Sequence, residues 1–250
     1  MTSNQVVGII PARWNSTRFP GKPLIDILGK SLIKRTYEKA LKSSRLNSLL
    51  VATDDHRIYD HVKDFGGNVC MTSISCPTGT DRVSEAIKIS QSNPSIVVSI
   101  QGDEPCFDPT TIDTLIEQMQ KTDDAVVTTP VTKITNPHDI LNSGIVKCVF
   151  DYLNRALYFS RAPIPFSVKS RTVDNYYRHI GIYCFRGSFL EHYVKIKNSR
   201  LQNIEDLEQL KILEMGHQIY VSIVKDQGIG VDTPKDLKRI KEILCANISL

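Results

Sequence analysis

VVGIIPARWNSTRFPGKPL, residues 6–24, joins an unbroken apolar run to a loop that carries Arg13, Arg18 and Lys22. A run that is apolar on both faces reads as a strand covered on both sides, the kind found in parallel sheets. The pattern repeats downstream in SLLVAT (48–53), NVCMT (68–72), SIVVSI (95–100) and AVVTTPV (125–131). Between these runs, SLIKRTYEKALK (31–42), HRIYDHVKDF (56–65), DRVSEAIKIS (81–90) and TTIDTLIEQMQ (110–120) space their apolar residues three and four apart, which predicts helices. Strands alternating with helices predict an α/β fold with a mainly parallel central sheet, assembled from right-handed βαβ units.

From about 133 to 200 the pattern changes to hairpin-like strands punctuated by proline, in GIVKCVFD, ALYFSRAPIP and YYRHIGIYCF. This stretch reads as a lobe or arm set into a single domain spanning 1–250. A helix at about 203–215, a strand QIYVSIV (218–224) and a last helix from Pro234 follow. Thr233 can cap that last helix, with Asp236 as its partner.

The chain has 250 residues, 41% hydrophobic and 23% charged, enough for one substantial core. Its formal charge of +4 is interspersed, with no basic block to track a nucleic-acid backbone. No apolar run of about 18 residues predicts a membrane span. The start, MTSNQVVGIIPAR, lacks the features of a secretory signal, so a cytoplasmic protein is expected. Six scattered cysteines form no zinc pattern and read as reduced packing residues.

In an open parallel sheet, ligands bind beyond the carboxyl ends of the strands. Three strand-following loops carry suitable chemistry. The opening loop offers Arg13, Ser16, Thr17, Arg18, Gly21 and Lys22, which can surround a triphosphate with guanidinium, ammonium, hydroxyl and amide donors. It matches no standard phosphate-loop pattern, and it reads equally as a solvated basic loop. QGDEP places Asp103 and Glu104 after SIVVSI, where carboxylates hold magnesium or merely open a loop. QGIGVDTPKDL places Asp232 before a capped helix, as a metal ligand or as helix-start chemistry. Two further elements stand apart. In YYRHIGIYCF, two-residue periodicity puts Tyr177, His179, Gly181 and Tyr183 on one face, for a ligand or for a buried, satisfied histidine. On the helix near 205–213, Glu205, Glu208 and Gln209 share a polar face. Arg161 reads as an ion-pair partner or as an anion reader.

The segments IIPARWNSTRFPGKPL, TGTDR, QGDEP, ALYFSRAPIP, RHIGIY, LEQLKIL and GVDTPKDL, in this order along nearly the whole chain, resemble the 3-deoxy-manno-octulosonate cytidylyltransferases. The resemblance implies a Rossmann-like nucleotidyltransferase with a hairpin-rich dimerisation arm, working as a homodimer. It implies CTP and 3-deoxy-D-manno-octulosonate (Kdo) as substrates, magnesium as cofactor, and a place in lipopolysaccharide assembly. Matched residue by residue, it assigns Pro11, Ala12, Arg13, Ser16 and Lys22 to the nucleotide and its phosphates. It assigns Thr80 and Arg82 to the base and ribose side, and Gln101 to the border of nucleotide and sugar. Asp103 and Asp232 become the magnesium ligands, with Arg13, Lys22 and both acids as the catalytic set. Arg161, His179, Tyr183, Glu208 and Gln209 become the sugar-acid pocket. The chain departs from the family pattern at Phe19, at TPKD in place of TPED, and at NSGIVKCV with its Cys148. A cytidylyltransferase for another sugar acid such as sialic acid, a transferase acting on a sugar 1-phosphate, and a nucleotide-binding module without catalysis are the rival readings.

Overall fold

The computed structural model describes residues 5–15, 19–168, 173–197, 199–225, 229–231 and 233–246. The chain folds as two compact units, Met1–Asp113 with Gln227–Leu250, and Thr114–Asp226. These boundaries lie outside the 133–200 lobe that the hairpin pattern suggests.

In the first unit, β1 (Val6–Ala12) leads through a small antiparallel pair, β2 (Asp26–Ile27) and β3 (Lys30–Ser31), to α1 (Leu32–Ala40). There follow β4 (Ser48–Thr53), α2 (His56–Asp64), β5 (Val69–Met71), α3 (Gly79–Ile89), β6 (Ile96–Ser99) and α4 (Pro109–Lys121), the last running past the unit boundary. β1 pairs in parallel with β4 on one side and β6 on the other, and β5 lies beyond β4. Ile9, Ile10, Val51, Ala52, Val97 and Val98 are fully buried, which explains why these strands are apolar without alternation.

The helices start where the sequence supplies caps. Ser31 Oγ accepts from Lys34 N at 3.2 Å at the head of α1, which buries Leu32, Ile33, Thr36, Tyr37 and Ala40. Each fully buried Leu or Ile side chain contributes about 1.5–3 kcal/mol, so α1 is held by its inward face. Thr78 caps α3 by accepting from Asp81 N at 3.2 Å, and its hydroxyl donates to Asp81 Oδ2 at 2.7 Å.

The second unit holds β7 (Val127–Lys133), α5 (Pro137–Leu141), β8 (Lys147–Phe150), β9 (Ala156–Ser160), β10 (Tyr177–His179), β11 (Tyr183–Arg186), α6 (Gly187–Tyr193), α7 (Arg200–Glu205), α8 (Gln209–Glu214) and β12 (Ile219–Ile223). β7 is central, with β12 parallel along one flank and β10 and β11 antiparallel along the other. β8 and β9 extend the sheet beyond β10. The sheet curls back on itself, since Arg155 bridges to Tyr220 and Val221 N donates to Asn154 O at 2.8 Å. The final helix, α9 (Pro234–Ala246), returns to the first unit, where Ile240 packs with Ile27, Leu32 and Val231. Thr233 and Asp236 form the cap that the sequence predicts, with Thr233 N and Oγ1 donating to Asp236 Oδ2 at 2.7 and 2.8 Å.

Lys147 braces the second unit from within. It is fully buried, and its ammonium donates to three carbonyls, Asn142 O at 2.9 Å, Ile145 O at 2.6 Å and Arg161 O at 2.6 Å. Burial and the neighbouring Arg161 guanidinium lower its pKa, against the opposing pull of Glu205. Lys147→Met matches the stem but removes all three donors. The cost should be about 3 kcal/mol or more, because buried acceptors left unpaired cost about 1–3 kcal/mol each. Urea unfolding monitored by circular dichroism would measure it, and an unchanged midpoint would show that these carbonyls find other partners.

Candidate functional site

In the first unit, three loops meet at the carboxyl end of β1. Two glycines lie at the meeting point. A methyl group on Gly102 would stand 3.1 Å from Pro11 O and 3.4 Å from Ile10 Cγ2, so any larger residue there requires the strand end to give way by a few tenths of an ångström. On Gly79 it would stand 3.6 Å from the Pro11 ring. QGDEP and TGTDR are therefore both in touch with Pro11, as the strand-end argument expects. Ala12 is buried beside it, while Arg13 is exposed and Gln101 half-buried.

Lys22 enters from the far end of the opening loop. Gly21 adopts φ 70°, a left-handed conformation that glycine alone reaches without strain, and starts a short 3-10 turn over Lys22–Leu24. The turn delivers the largely buried Lys22 ammonium to Asp103, with Nζ 2.6 Å from Oδ2. A carboxylate is the partner such a buried ammonium needs. Asp103 remains about one third exposed, and its carbonyl accepts from Val231 N at 2.9 Å. The main chain just ahead of Asp232 is thus fastened to Asp103. Asp232 and Ser16 themselves lie outside the described residues.

Thr80 and Arg82 occupy the first turns of α3, both buried. The Arg82 guanidinium is largely committed within the protein, with Nη2 on Asp54 Oδ2 at 2.6 Å and Nη1 on Thr72 Oγ1 at 2.5 Å, and only Nε without a partner among the described residues. Asp54 went unnoticed in the sequence. Its signal was present, since it is an acid immediately after SLLVAT, at a strand's carboxyl end.

In the second unit, the single strand expected over YYRHIGIYCF is instead two, β10 and β11, broken at 180–182. His179 pairs with Val131 and Cys184 with Thr128, so five steps of this chain span three of β7. The two extra residues bulge out, with Ile182 N turning back to Ile180 O at 2.9 Å. Because the surplus is even, the faces stay in phase. The His179 and Tyr183 rings lie 5.3 Å apart, while Ile180, Ile182 and Cys184 are buried.

His179 Nε2 lies 2.8 Å from Thr129 Oγ1, whose hydroxyl donates to Ile182 O, also at 2.8 Å. Thr129 therefore accepts from the ring, which fixes the proton on Nε2 and leaves Nδ1 as an acceptor. Burial, with Phe159 edge-on at 5.1 Å, and then the Arg178 charge lower the imidazole pKa to about 3. The ring is neutral at any ordinary pH, so it can receive a hydroxyl but supplies no charge to a carboxylate.

The single helix expected near 203–215 is also corrected to two, α7 and α8, because Asp206 turns left-handed at φ 53°. Glu205 consequently leaves the face shared with Glu208 and Gln209. It accepts from Ser160 Oγ at 2.6 Å and from Arg161 N at 2.9 Å. The Arg161 guanidinium caps the end of α7, with Nε on Glu205 O at 2.8 Å and Nη2 on Asp206 O at 3.3 Å, and Nη1 reaches Ser143 O at 3.1 Å. The Tyr183 hydroxyl donates to Gln209 Oε1 at 3.0 Å. That leaves the buried Gln209 Nε2 without a partner among the described residues. Such an orphaned donor costs about 1–3 kcal/mol unless an acceptor reaches it. His179, Tyr183 and Gln209 thus stand together. Glu208 adjoins them in sequence and accepts from the Tyr193 hydroxyl through its carbonyl at 3.1 Å.

Residues 7–219 match the family model described as cytidylyltransferase. The chain is 50% identical to the 3-deoxy-manno-octulosonate cytidylyltransferase of Protochlamydia amoebophila, over 97% of this chain and 95% of that one. It is 51% identical to the enzyme of the same name from Chlamydia trachomatis, with the same two coverages. Among solved structures, CMP:2-keto-3-deoxy-manno-octonic acid synthetase complexed with CTP superposes with a TM-score of 0.91 at 36% identity, covering 97% of this chain and 99% of the other.

The depressed pKa of His179 makes stability depend on acid. Unfolded, the imidazole takes a proton near its ordinary 6.5, whereas the folded ring resists until about 3. Its contribution is therefore complete above pH 6.5 and is lost as pH falls from there toward 3. The melting temperature of His179→Gln should fall less between pH 6.5 and 4 than that of the parent, read by differential scanning calorimetry. Equal falls would mean that the ring is readily protonated in place.

Proposed function

Since the chain belongs to the cytidylyltransferase family, and within it to the 3-deoxy-manno-octulosonate cytidylyltransferases, we propose that it transfers CMP from CTP to 3-deoxy-D-manno-octulosonate, releasing pyrophosphate. The observation that carries this reading is likeness over nearly the full length of relatives of that name, reinforced by a close match to a synthetase solved with CTP.

The first unit takes the nucleotide. Pro11 and Ala12 approach it by main chain, and Arg13, Ser16 and Lys22 hold its phosphates. Arg82, enclosed by Asp54 and Thr72, acts mainly by bracing the loop beside Thr80, with Gln101 at the edge of the pocket. The anomeric hydroxyl of the sugar acid attacks the α-phosphorus, and the bond to pyrophosphate breaks. Lys22 and Arg13 offset charge on the departing phosphates, so the chemistry rests on positioning and charge.

Asp103 and Asp232 are the residues that would hold magnesium. The donor set fits, because it consists of hard carboxylate oxygens, and Asp103 is both partly exposed and bonded to the residue before Asp232. Magnesium leaves most of its positions to water and phosphate oxygens, so two carboxylates suffice as protein ligands. When bound, it would neutralise charge on the transferring phosphoryl group.

The second unit takes the sugar acid. Arg161 supplies the positive charge for its carboxylate, neutral His179 accepts one of its hydroxyls through Nδ1, and Gln209 Nε2 gains the acceptor it lacks. Tyr183 fixes Gln209, and Glu208 can accept from a further hydroxyl. A homodimer would cover the apolar side chains that this unit exposes at Leu153, Leu157, Phe166 and Val168, each at least 61% accessible. No helix among the described residues is long and apolar enough to cross a membrane. On the family reading itself, the work belongs in the cytoplasm, on a precursor of lipopolysaccharide.

Pyrophosphate release measured with CTP, magnesium and a panel of sugar acids and sugar phosphates tests the reading. Turnover should require the octulosonate, and Asp103→Ala should lower it by orders of magnitude with an unchanged circular dichroism spectrum. Turnover of a different acceptor alone would overturn the assignment. Sedimentation at micromolar concentration should give a dimer, and a monomer would leave those apolar side chains to another use.

A further inference from the structure

Trp14 is the one tryptophan of the chain, and it sits between two surfaces at the start of the opening loop. On one side is the backbone of Gly21, where an added methyl would stand only 3.0 and 3.1 Å from ring atoms Cη2 and Cζ2. On the other is the guanidinium of Arg57, centred 3.4 Å over the ring. Asp55 grips that guanidinium as a fork, with Arg57 Nε on Oδ1 at 2.9 Å and Nη2 on Oδ2 at 2.6 Å. Asp55 in turn caps α2, accepting from Arg57 N at 2.9 Å. A run of contacts thus leads from the head of α2 through guanidinium and indole to Gly21.

The stack closes the loop at its base. Gly21 N donates to Trp14 O at 3.0 Å, so the two ends of the loop meet there. The residues just outside this closure are Arg13 and Lys22. One hydrogen bond exchangeable with water holds such a closure weakly, contributing about 0.5–1.5 kcal/mol. A planar cation laid flat on an indole, itself held by a bidentate carboxylate, reinforces it.

We propose that Arg57 is a positioning residue for the transfer reaction, acting through Trp14 to hold Arg13 and Lys22 at the separation at which they take the nucleotide phosphates. The proposal rests on the nucleotide-binding reading of the first unit. Arg57 is more than half exposed and Trp14 is partly so, and a substitution at Arg57 leaves the core untouched.

The test uses the full chain with Arg57→Ala and Arg57→Lys, and Trp14 as its reporter. Arg57→Ala should shift the tryptophan emission and raise KM for CTP about two- to fivefold, the scale of an exposed cation–π contact. KM for the sugar acid and kcat should not move. Arg57→Lys keeps the charge but loses the flat stacked face, and should behave like the alanine variant. A lysine variant with the parent's KM for CTP would assign the effect to bulk charge and overturn the proposal. So would an alanine variant whose emission shifts while KM for CTP stays put, or one in which both KM values rise together. Titrating parent emission with magnesium and CTP reads nucleotide affinity without turnover, so a wrong choice of acceptor would abolish product while leaving this comparison intact.

Discussion

An ammonium and a carboxylate 2.6 Å apart, on Lys22 and Asp103, set the terms for the first unit. They lie far apart in sequence, and each arrives by a different device. Lys22 is delivered by a left-handed glycine and a short turn, Asp103 by a parallel strand hydrogen-bonded alongside β1. The acid eases the burial of the lysine by answering its charge. On the proposed reading, both partners are also what the substrates need, since phosphate competes for the ammonium and a metal cation for the carboxylate. The pair then separates by exchanging each ion for another of the same sign, which spares the site an uncompensated buried charge.

Much of the fold was legible because it is written in period. Parallel strands covered on both faces must be apolar throughout, and VVGII, SLLVAT and SIVVSI announce themselves for that reason. Caps at Ser31, Thr78 and Thr233 are local chemistry and could be read from a few adjacent residues. The close approach at Gly102 was less visible. A glycine after a strand carries no mark of whether it is needed for φ or for space, and only the position of Pro11 O decides that it is space.

What escaped the sequence depends on geometry that periodicity does not encode. Two residues bulged between β10 and β11 look like uninterrupted alternation, and Asp206 in LEQLKIL's approach looks like any polar helical position. The partners of long cations were equally hidden. Arg82 finds Asp54 and Arg161 finds the end of α7, neither a neighbour in sequence, and Lys147 adds the carbonyl of Arg161 to two that lie close by in the chain. A basic residue in a strand or loop reads as a ligand for something outside the chain until its internal acceptors are seen. The second unit accordingly has a different electrical character from the one its sequence suggests, with a neutral histidine and a guanidinium already bonded to three carbonyls.

The bridge from Arg155 to Tyr220 bears on how copies of this chain behave in a crowded solution. A sheet that ends in bare strands offers a row of unpaired amides and carbonyls, a template for indiscriminate growth. Here the turn into β9 is hydrogen-bonded back to β12, so at that point neither strand is left as a ragged rim. At that point a neighbouring molecule meets side chains, whose shapes discriminate, before it meets backbone, which accepts any comer.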